Sequence, residues 1–357
     1  MSSYNYHFPI TLAMIVKDEE HIIARCLDSV KDHITGYVII DTGSTDNTKA
    51  IIEKELAGIP GIILDRPWVD FGYNRTELVQ EARTRIAVQK RSSGNFGYLL
   101  LLDADHTIEG DFTGVGDADG YLIQLVGGEI VYRMPYLVGA DIPWKYFCRT
   151  HEYIGTEGVP FQYEDLDSVT IRHFGDGGTR HEKFERDLKY LEEDYASDPN
   201  NERHVYYLAQ TLESVGQNER AIEMYDRRVS LGGWDQEVFW ALFRKAEITQ
   251  KIEDYLAAWL YRPSRSEPLQ RAAKLLNNIG NHAGVVALCK AAPQKPTDDY
   301  FFVERWTENY GLAFEYCLAS FYTGSVQAAK FGWEEILKLE DVKPEYRESC
   351  QNNLTFC

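Results

Sequence analysis

Two carboxylates separated by a single residue, Asp103 and Asp105, close an unbroken apolar run, Tyr98 to Leu102, in the stretch FGYLLLLDADHTIEG. Carboxylates so spaced can share a divalent cation, and Mg²⁺ or Mn²⁺ is the hard, oxygen-seeking ion they would select. An apolar run without polar alternation reads as a strand buried on both faces of a mostly parallel sheet. Side chains along a strand repeat every second residue. Asp103 and Asp105, with Ala104 between them, are therefore expected to leave the strand's carboxyl end pointing the same way. That end is where open α/β sheets bind ligands. Taken alone, an Asp-x-Asp also reads as a turn, so the elements around it must decide.

Those elements alternate. ITLAMIV (10–16) is a β-prone run that stops at Lys17-Asp18-Glu19-Glu20, and HIIARCLDSVKDHI places Ile22, Ile23, Cys26, Leu27 and Val30 at helical spacing. YVIID then leads through GSTDNT into a helix from about Thr45 or Asp46, and the order strand, loop, helix predicts a parallel sheet. The loop DTGSTDNT, with Asp41, Ser44 and Asp46, is rich in small polar residues and ends at a helix start, where free N–H groups favour an anion. Thr45 and Asp46 equally suit capping of that helix. A third strand, GIILD, precedes PWVDFGYNR and a helix from about Tyr73. This loop either plugs the sheet edge with Trp68 and Phe71 or presents Asn74 and Arg75 to a diphosphate, which arginine binds with a planar fork. After the DADH stretch, YLIQLVGGEIVYRMPYLVG alternates as antiparallel strands do. CRTHEYI (148–154) and VTIRHFGDGG (169–178) then set histidines and acids at or near strand ends.

The succession MIVKDEE, CLDSV, VIIDTGSTDNT, WVDFGYNR and LLLLDADH resembles the family 2 glycosyltransferases of the GT-A fold, over about residues 9 to 180. The resemblance implies a Rossmann-like mixed α/β sheet whose first half binds the nucleotide of a sugar-nucleotide donor, with UDP as the carrier. By that likeness Asp18 or Glu19 and Asp41 lie near the nucleoside, Asp103 and Asp105 form the metal motif, and His173 in HFGDGG completes the metal site. The chemistry agrees: leaving of a nucleoside diphosphate builds negative charge that a bound Mn²⁺ or Mg²⁺ stabilises as a Lewis acid. An inverting transfer also needs a base on the opposite face of the sugar. The family places an acid in the sheet's antiparallel extension. By the resemblance Glu152, beside His151, is expected to be that base, with Asp141 or Asp165 as the alternatives.

From Phe184 onward the texture is helical. ERHVYYLAQTLESVGQNERAIEMYDRRVSLGGW (202–234) reads as two helices around Gly216-Gln217-Asn218 and matches the roughly 34-residue tetratricopeptide pattern, with Ala209 and Ala221 as the small residues. Diverged echoes follow in FWALFRKAEI with DYLAAWLYRP, PLQRAAKLLNNIG with AGVVALCKAA, and YGLAFEYCLASFYTG with QAAKFGWEEIL. Two domains are expected: 1–180, a GT-A glycosyltransferase domain, and 181–357, an all-α tetratricopeptide-like array that binds an acceptor or a protein partner, or self-associates. The 357 residues carry 37 basic and 56 acidic side chains, a net charge of −19, which argues against nucleic acid or an anionic membrane as partner. Six cysteines without a CxxC pair indicate reduced thiols and a cytoplasmic setting. No signal peptide or membrane span is expected.

The leading expectation is a metal-dependent inverting glycosyltransferase of the hexosyltransferase class, moving a sugar from a nucleotide sugar to a protein or glycan acceptor. A sugar nucleotidyltransferase is disfavoured because KDEE lacks the Gly-rich, basic character that grips a triphosphate. A non-catalytic tetratricopeptide scaffold with a sugar-nucleotide-binding domain is disfavoured by the intact DADH and DTGSTDNT stretches.

Overall fold

The structure is a computed structural model that describes residues 8–90, 97–128, 130–177, 180–293 and 295–357. Phe96 of the first motif and Gly178 of the HFGDGG stretch lie outside the described residues. The chain divides into two compact units, residues 1–183 and 184–357.

The first unit is built on an eight-stranded mixed sheet in the order β3-β2-β1-β4-β7-β6-β10-β5. Strands β1 (Ile10–Val16), β2 (Gly36–Asp41), β3 (Gly61–Asp65) and β4 (Tyr98–Leu101) run parallel. The apolar run behaves as its composition demands. Leu99 and Leu101 face one core layer, Leu100 and Leu102 the other, and all four are buried. Helix α1 (Ile23–Val30) buries Ile23, Cys26, Leu27 and Val30, the face that the spacing predicts. Helices α2 (Thr48–Glu55) and α3 (Phe71–Lys90) follow β2 and β3. The alternating segment folds as the antiparallel pair β6 (Gly120–Gly127) and β7 (Ile130–Gly139), and β7 also pairs antiparallel with β4. Strand β10 (Tyr163–His173) lies parallel to β6 and antiparallel to β5 (His106–Gly110). A separate hairpin joins β8 (Trp144–Phe147) to β9 (Tyr153–Thr156).

One expectation needs correction. The strand stops at Leu101, and the His106 N–H donates to the Asp103 carbonyl at 3.1 Å, so the DADH residues form a turn into β5 rather than a strand end. The two-residue periodicity does not extend across that turn, and Asp103 and Asp105 take different partners.

The second unit is a run of antiparallel helix pairs after α4 (Arg180–Ser197). The pairs are α5 (Glu202–Ser214) with α6 (Asn218–Leu231), α7 (Asp235–Thr249) with α8 (Ile252–Tyr261), and α9 (Glu267–Asn278) with α10 (His282–Cys289). A π-helical turn (Thr307–Gly311) then opens α11 (Leu312–Tyr322), which packs on α12 (Val326–Leu337), and α13 (Pro344–Leu354) closes the run. Each of the four hairpins named from the sequence is present. Their turns need a left-handed residue, supplied by Gly216, Gly280 and Gly324 and, in the second pair, by Gln250 at φ 53°. Ala209 and Ala221 are fully buried where α5 and α6 meet. Among the described residues no helix is long and apolar enough to cross a membrane.

Candidate functional site

In the sheet order the chain runs outward from β1 to β2 and β3, then returns to the other side of β1 for β4. This reversal opens a crevice beyond the carboxyl ends of the strands. Residues 17–20, 41–48 and 103–105 all emerge there. The first two loops are laced together: the Asp18 N–H donates to Ser44 Oγ (2.9 Å), the Thr45 N–H to Asp18 Oδ1 (2.6 Å), and the Glu19 N–H to Thr48 Oγ1 (2.8 Å). Asp46 accepts from the Glu20 N–H through one oxygen (3.0 Å) and from the Thr48 N–H and hydroxyl through the other. The helix starts at Thr48, later than the expected Thr45 or Asp46, with Asn47 rather than Thr45 or Asp46 at its N-cap, and Asp46 ties the first residue of α2 to the neighbouring loop. Asp41 is almost fully buried; its Oδ1 accepts from the N–H groups of Gly43 and Ser44, while its Oδ2 has no hydrogen-bond partner among the described residues. A buried carboxylate oxygen without a donor calls for one from outside the chain.

Glu19 faces a concentration of like charge. Burial, followed by the carboxylates of Asp105, Asp103, Asp46 and Asp176, pushes its carboxyl up to about 7. Asp105 Oδ2 lies 3.0 Å from His173 Nε2. The segment after His173 is fixed by a two-point ion pair of Asp176 with Arg25 (2.8 and 2.7 Å), whose guanidinium lies 3.9 Å above the Phe174 ring. His106, not singled out in the sequence, completes the group: ligand-type atoms of Asp105, His106 and His173 lie within 4.8 Å of one another. Its own geometry gives it a different part. His106 Nδ1 accepts from the Asp103 N–H (3.2 Å), so the neutral ring carries its proton on Nε2, which faces Asp105 Oδ1 at 3.9 Å. Burial lowers the affinity of His106 for a second proton against the pull of Asp103 and Asp105. It thus supports Asp105 as a donor. Asp105 and His173 remain as candidate donors to Mn²⁺ or Mg²⁺. Asp103 is not part of that three-residue group and gives its Oδ1 to Arg75 instead.

Asp103 is held from the other side. Arg75, at the start of the second turn of α3, places Nη2 2.7 Å from Asp103 Oδ1 and Nε 2.8 Å from Glu152 Oε1, with its guanidinium 5.8 Å from the centre of the Tyr146 ring. The contact with Glu152 is an ion pair without the alignment of a hydrogen bond. Burial favours loss of the Arg75 proton, but Asp103 and Glu152 outweigh it and raise its pKa. Burial likewise raises Asp103, and Arg75 and His106 outweigh it, leaving the carboxyl below its ordinary value. The start of α3 is seated against the loop that carries Glu152. A Cβ on Gly72 would lie 2.1 Å from the Cys148 carbonyl oxygen, and the Phe71 N–H donates to the Arg149 carbonyl. Asn74 is fully buried and ties its own loop, accepting from the Val69 N–H and donating to the Pro67 carbonyl. Asn74 and Arg75 thus both have partners within the chain. The fallback acids stand apart: Asp141 follows β7, beside the amino end of β4, and Asp165 pairs with Arg133. Ala104 is buried in the core beneath the turn.

Residues 11–114 match the model of glycosyl transferase family 2. The first unit carries a family 2 glycosyltransferase domain. Among curated proteins, the chain is 20% identical over 238 residues to the SPbeta prophage-derived glycosyltransferase SunS of Bacillus subtilis, covering 62% of this chain and 53% of that one. It is 34% identical over 100 residues to a TPR repeat-containing protein of Synechococcus elongatus, covering 28% of this chain and 21% of that one. The chain thus spans about half the length of the first relative and about a fifth of the second. Among solved structures, TarS 1–349 of S. aureus aligns with a TM-score of 0.38 and 12% identity over 67% of this chain and 88% of that one. The matched family 2 span holds Asp18, Glu19, Asp41, Ser44, Asp46, Asn74, Arg75, Asp103 and Asp105. Glu152 and His173 fall beyond it, and the fold brings them back to it through Arg75 and Asp105.

Proposed function

We propose that the protein is a metal-dependent, inverting glycosyltransferase that moves a hexose from a UDP-sugar to a protein or glycan acceptor in the cytoplasm. The observation that carries this reading is the convergence of Asp103, Asp105, His173 and Glu152 on one crevice, although they come from distant parts of the chain. Asp41 Oδ2, buried and without a donor among the described residues, would receive an N–H of the nucleobase, with Asp18, Glu19 and Ser44 lining the same loops. Asp103, Asp105 and His173 would hold the divalent cation, which supplies Lewis-acid stabilisation of the departing diphosphate. Glu152 would accept the acceptor hydroxyl's proton, its carboxylate oriented by Arg75. The helix pairs of the second unit would bind the acceptor or a protein partner, with 1–180 and 181–357 dividing the labour.

A panel of UDP-hexoses with Mn²⁺ and candidate acceptors, read by UDP release and by mass of the acceptor, tests the reading. Transfer is expected from the wild-type protein and none from Asp103→Ala or Asp105→Ala variants with intact melting transitions. Undiminished transfer by either variant would overturn the metal-site assignment.

A further inference from the structure

The connections between helix pairs are short at residues 232–234 and 262–266, but the third, 290–306, is much longer. Connections of that length inside a compact domain are uncommon, and are usually either functional or linker segments. Residues 297–304 of it fold back across the preceding pairs, where first helices and the residues leading into them grip it as a strap that bends at Phe301 and Phe302. The grip is largely on the main chain. Gln236 of α7 accepts from the N–H groups of Tyr300 (3.2 Å) and Phe301 (3.1 Å). Arg265, fully buried, donates to the carbonyls of Phe301 (3.1 Å) and Phe302 (3.0 Å), and Glu267 accepts from the Glu304 N–H (3.0 Å). Side chains add a pattern. Asp299 meets Arg262 and Arg265, the Phe301 ring lies 4.6 Å from that of Trp234, and the Phe302 ring lies 5.3 Å from that of Trp240.

Main-chain reading combined with pockets for chosen side chains is how proteins recognise extended peptides. We propose that this face of the helix pairs is a binding groove for an extended polypeptide segment of the form Asp-x-aromatic-aromatic, and that residues 297–304 are a built-in occupant which such a partner displaces. Two features mark the strap as an imperfect tenant. Phe302 sits at φ 49°, a left-handed conformation that a bulky side chain rarely takes, and a partner segment not bound to turn into the next helix is free of that demand. Tyr300 and Phe302 also remain 72% and 41% exposed. The tether holds the strap at high effective concentration, so a partner binds weakly until the strap lets go. This inference concerns the second unit alone and stands apart from the donor-site reading.

The test uses the full chain and a fluorescein-labelled peptide of residues 296–305, followed by anisotropy. Phe301→Ser with Phe302→Ser, which empties both aromatic pockets, is expected to bind the peptide at least about tenfold more tightly than the wild type. Adding Gln236→Ala to that variant should reverse the gain. Equal binding by wild type and a strap variant that still melts cooperatively would overturn the proposal. Hydrogen exchange on the wild type gives an arm that needs no variant. The amides of Tyr300, Phe301 and Glu304 should exchange about a hundredfold faster than the core amides of α7 and α9. Exchange of those amides only through global unfolding would make the strap a fixed part of the fold and defeat the idea.

Discussion

Arg75 and Asp103 meet at 2.7 Å across the mouth of the sheet, joining the amino-terminal part of α3 to the turn that follows β4. The same guanidinium reaches Glu152, so one cation balances two carboxylates that the sequence assigns to different tasks. Its removal leaves two like charges facing each other in a partly buried site. Arg75→Met is expected to cost on the order of 2 kcal/mol in a urea titration, below the 3–5 kcal/mol of a fully buried pair because Asp103 keeps some solvent contact. Arg75→Lys, which retains charge without the fork, should recover part of the stability. A titration midpoint unchanged in Arg75→Met would show that the bridge contributes nothing.

Glu19 provides a pH test whose sign follows from its surroundings. Its folded-state carboxyl is raised to about 7 from an ordinary 4.5, first by burial and then by neighbouring aspartates. A raised acid contributes stability that is fully present below its unfolded value and is lost as pH climbs through the folded one. Without divalent cations, wild-type stability should therefore decline between about pH 4.5 and 7. Glu19→Gln should flatten that decline and exceed the wild type at pH 8. Parallel profiles for the two proteins would remove Glu19 from the acidic cluster.

Gly72 tests how closely α3 and the Glu152 loop must approach. An added methyl would sit 2.1 Å from the Cys148 carbonyl oxygen, and that atom belongs to backbone rather than to a flexible side chain. Gly72→Ala should cost about 1–3 kcal/mol as the two segments part. If the proposed function holds, it should also lower sugar transfer more than donor binding, because the displaced loop carries Glu152. A variant with wild-type melting and wild-type transfer would show that the contact relaxes freely.

Much of this was legible in the sequence because periodicity reports burial. The Leu99–Leu102 run, the Ile23/Cys26/Leu27/Val30 face and the small residues Ala209 and Ala221 are each buried as their spacing requires. What could not be read depends on contacts between distant residues or on hydrogen bonds within a turn. Arg75 takes its partners from Asp103 and Glu152, far along the chain, and nothing local announces either. The two-residue argument for Asp103 and Asp105 lapsed at a single backbone hydrogen bond, from His106 to Asp103. Gln250 takes a turn position that glycine fills in three sister hairpins, so composition alone gave no stop signal there.

His106 and His173 flank Asp105, and their nitrogens separate a supporting histidine from a ligand. His106 gives Nδ1 to the Asp103 N–H, so its Nε2 carries a proton and has no lone pair for a metal. His173 presents Nε2 3.0 Å from Asp105 Oδ2, where a cation could meet both. Mn²⁺ titrated calorimetrically should bind His173→Ala and Asp105→Asn at least about a hundredfold more weakly than wild type. His106→Gln should lose only about tenfold, the scale of a lost supporting contact. The opposite ranking, with binding lost in His106→Gln and retained in His173→Ala, would mean that the ring flips its tautomer and that His106 is the true nitrogen ligand.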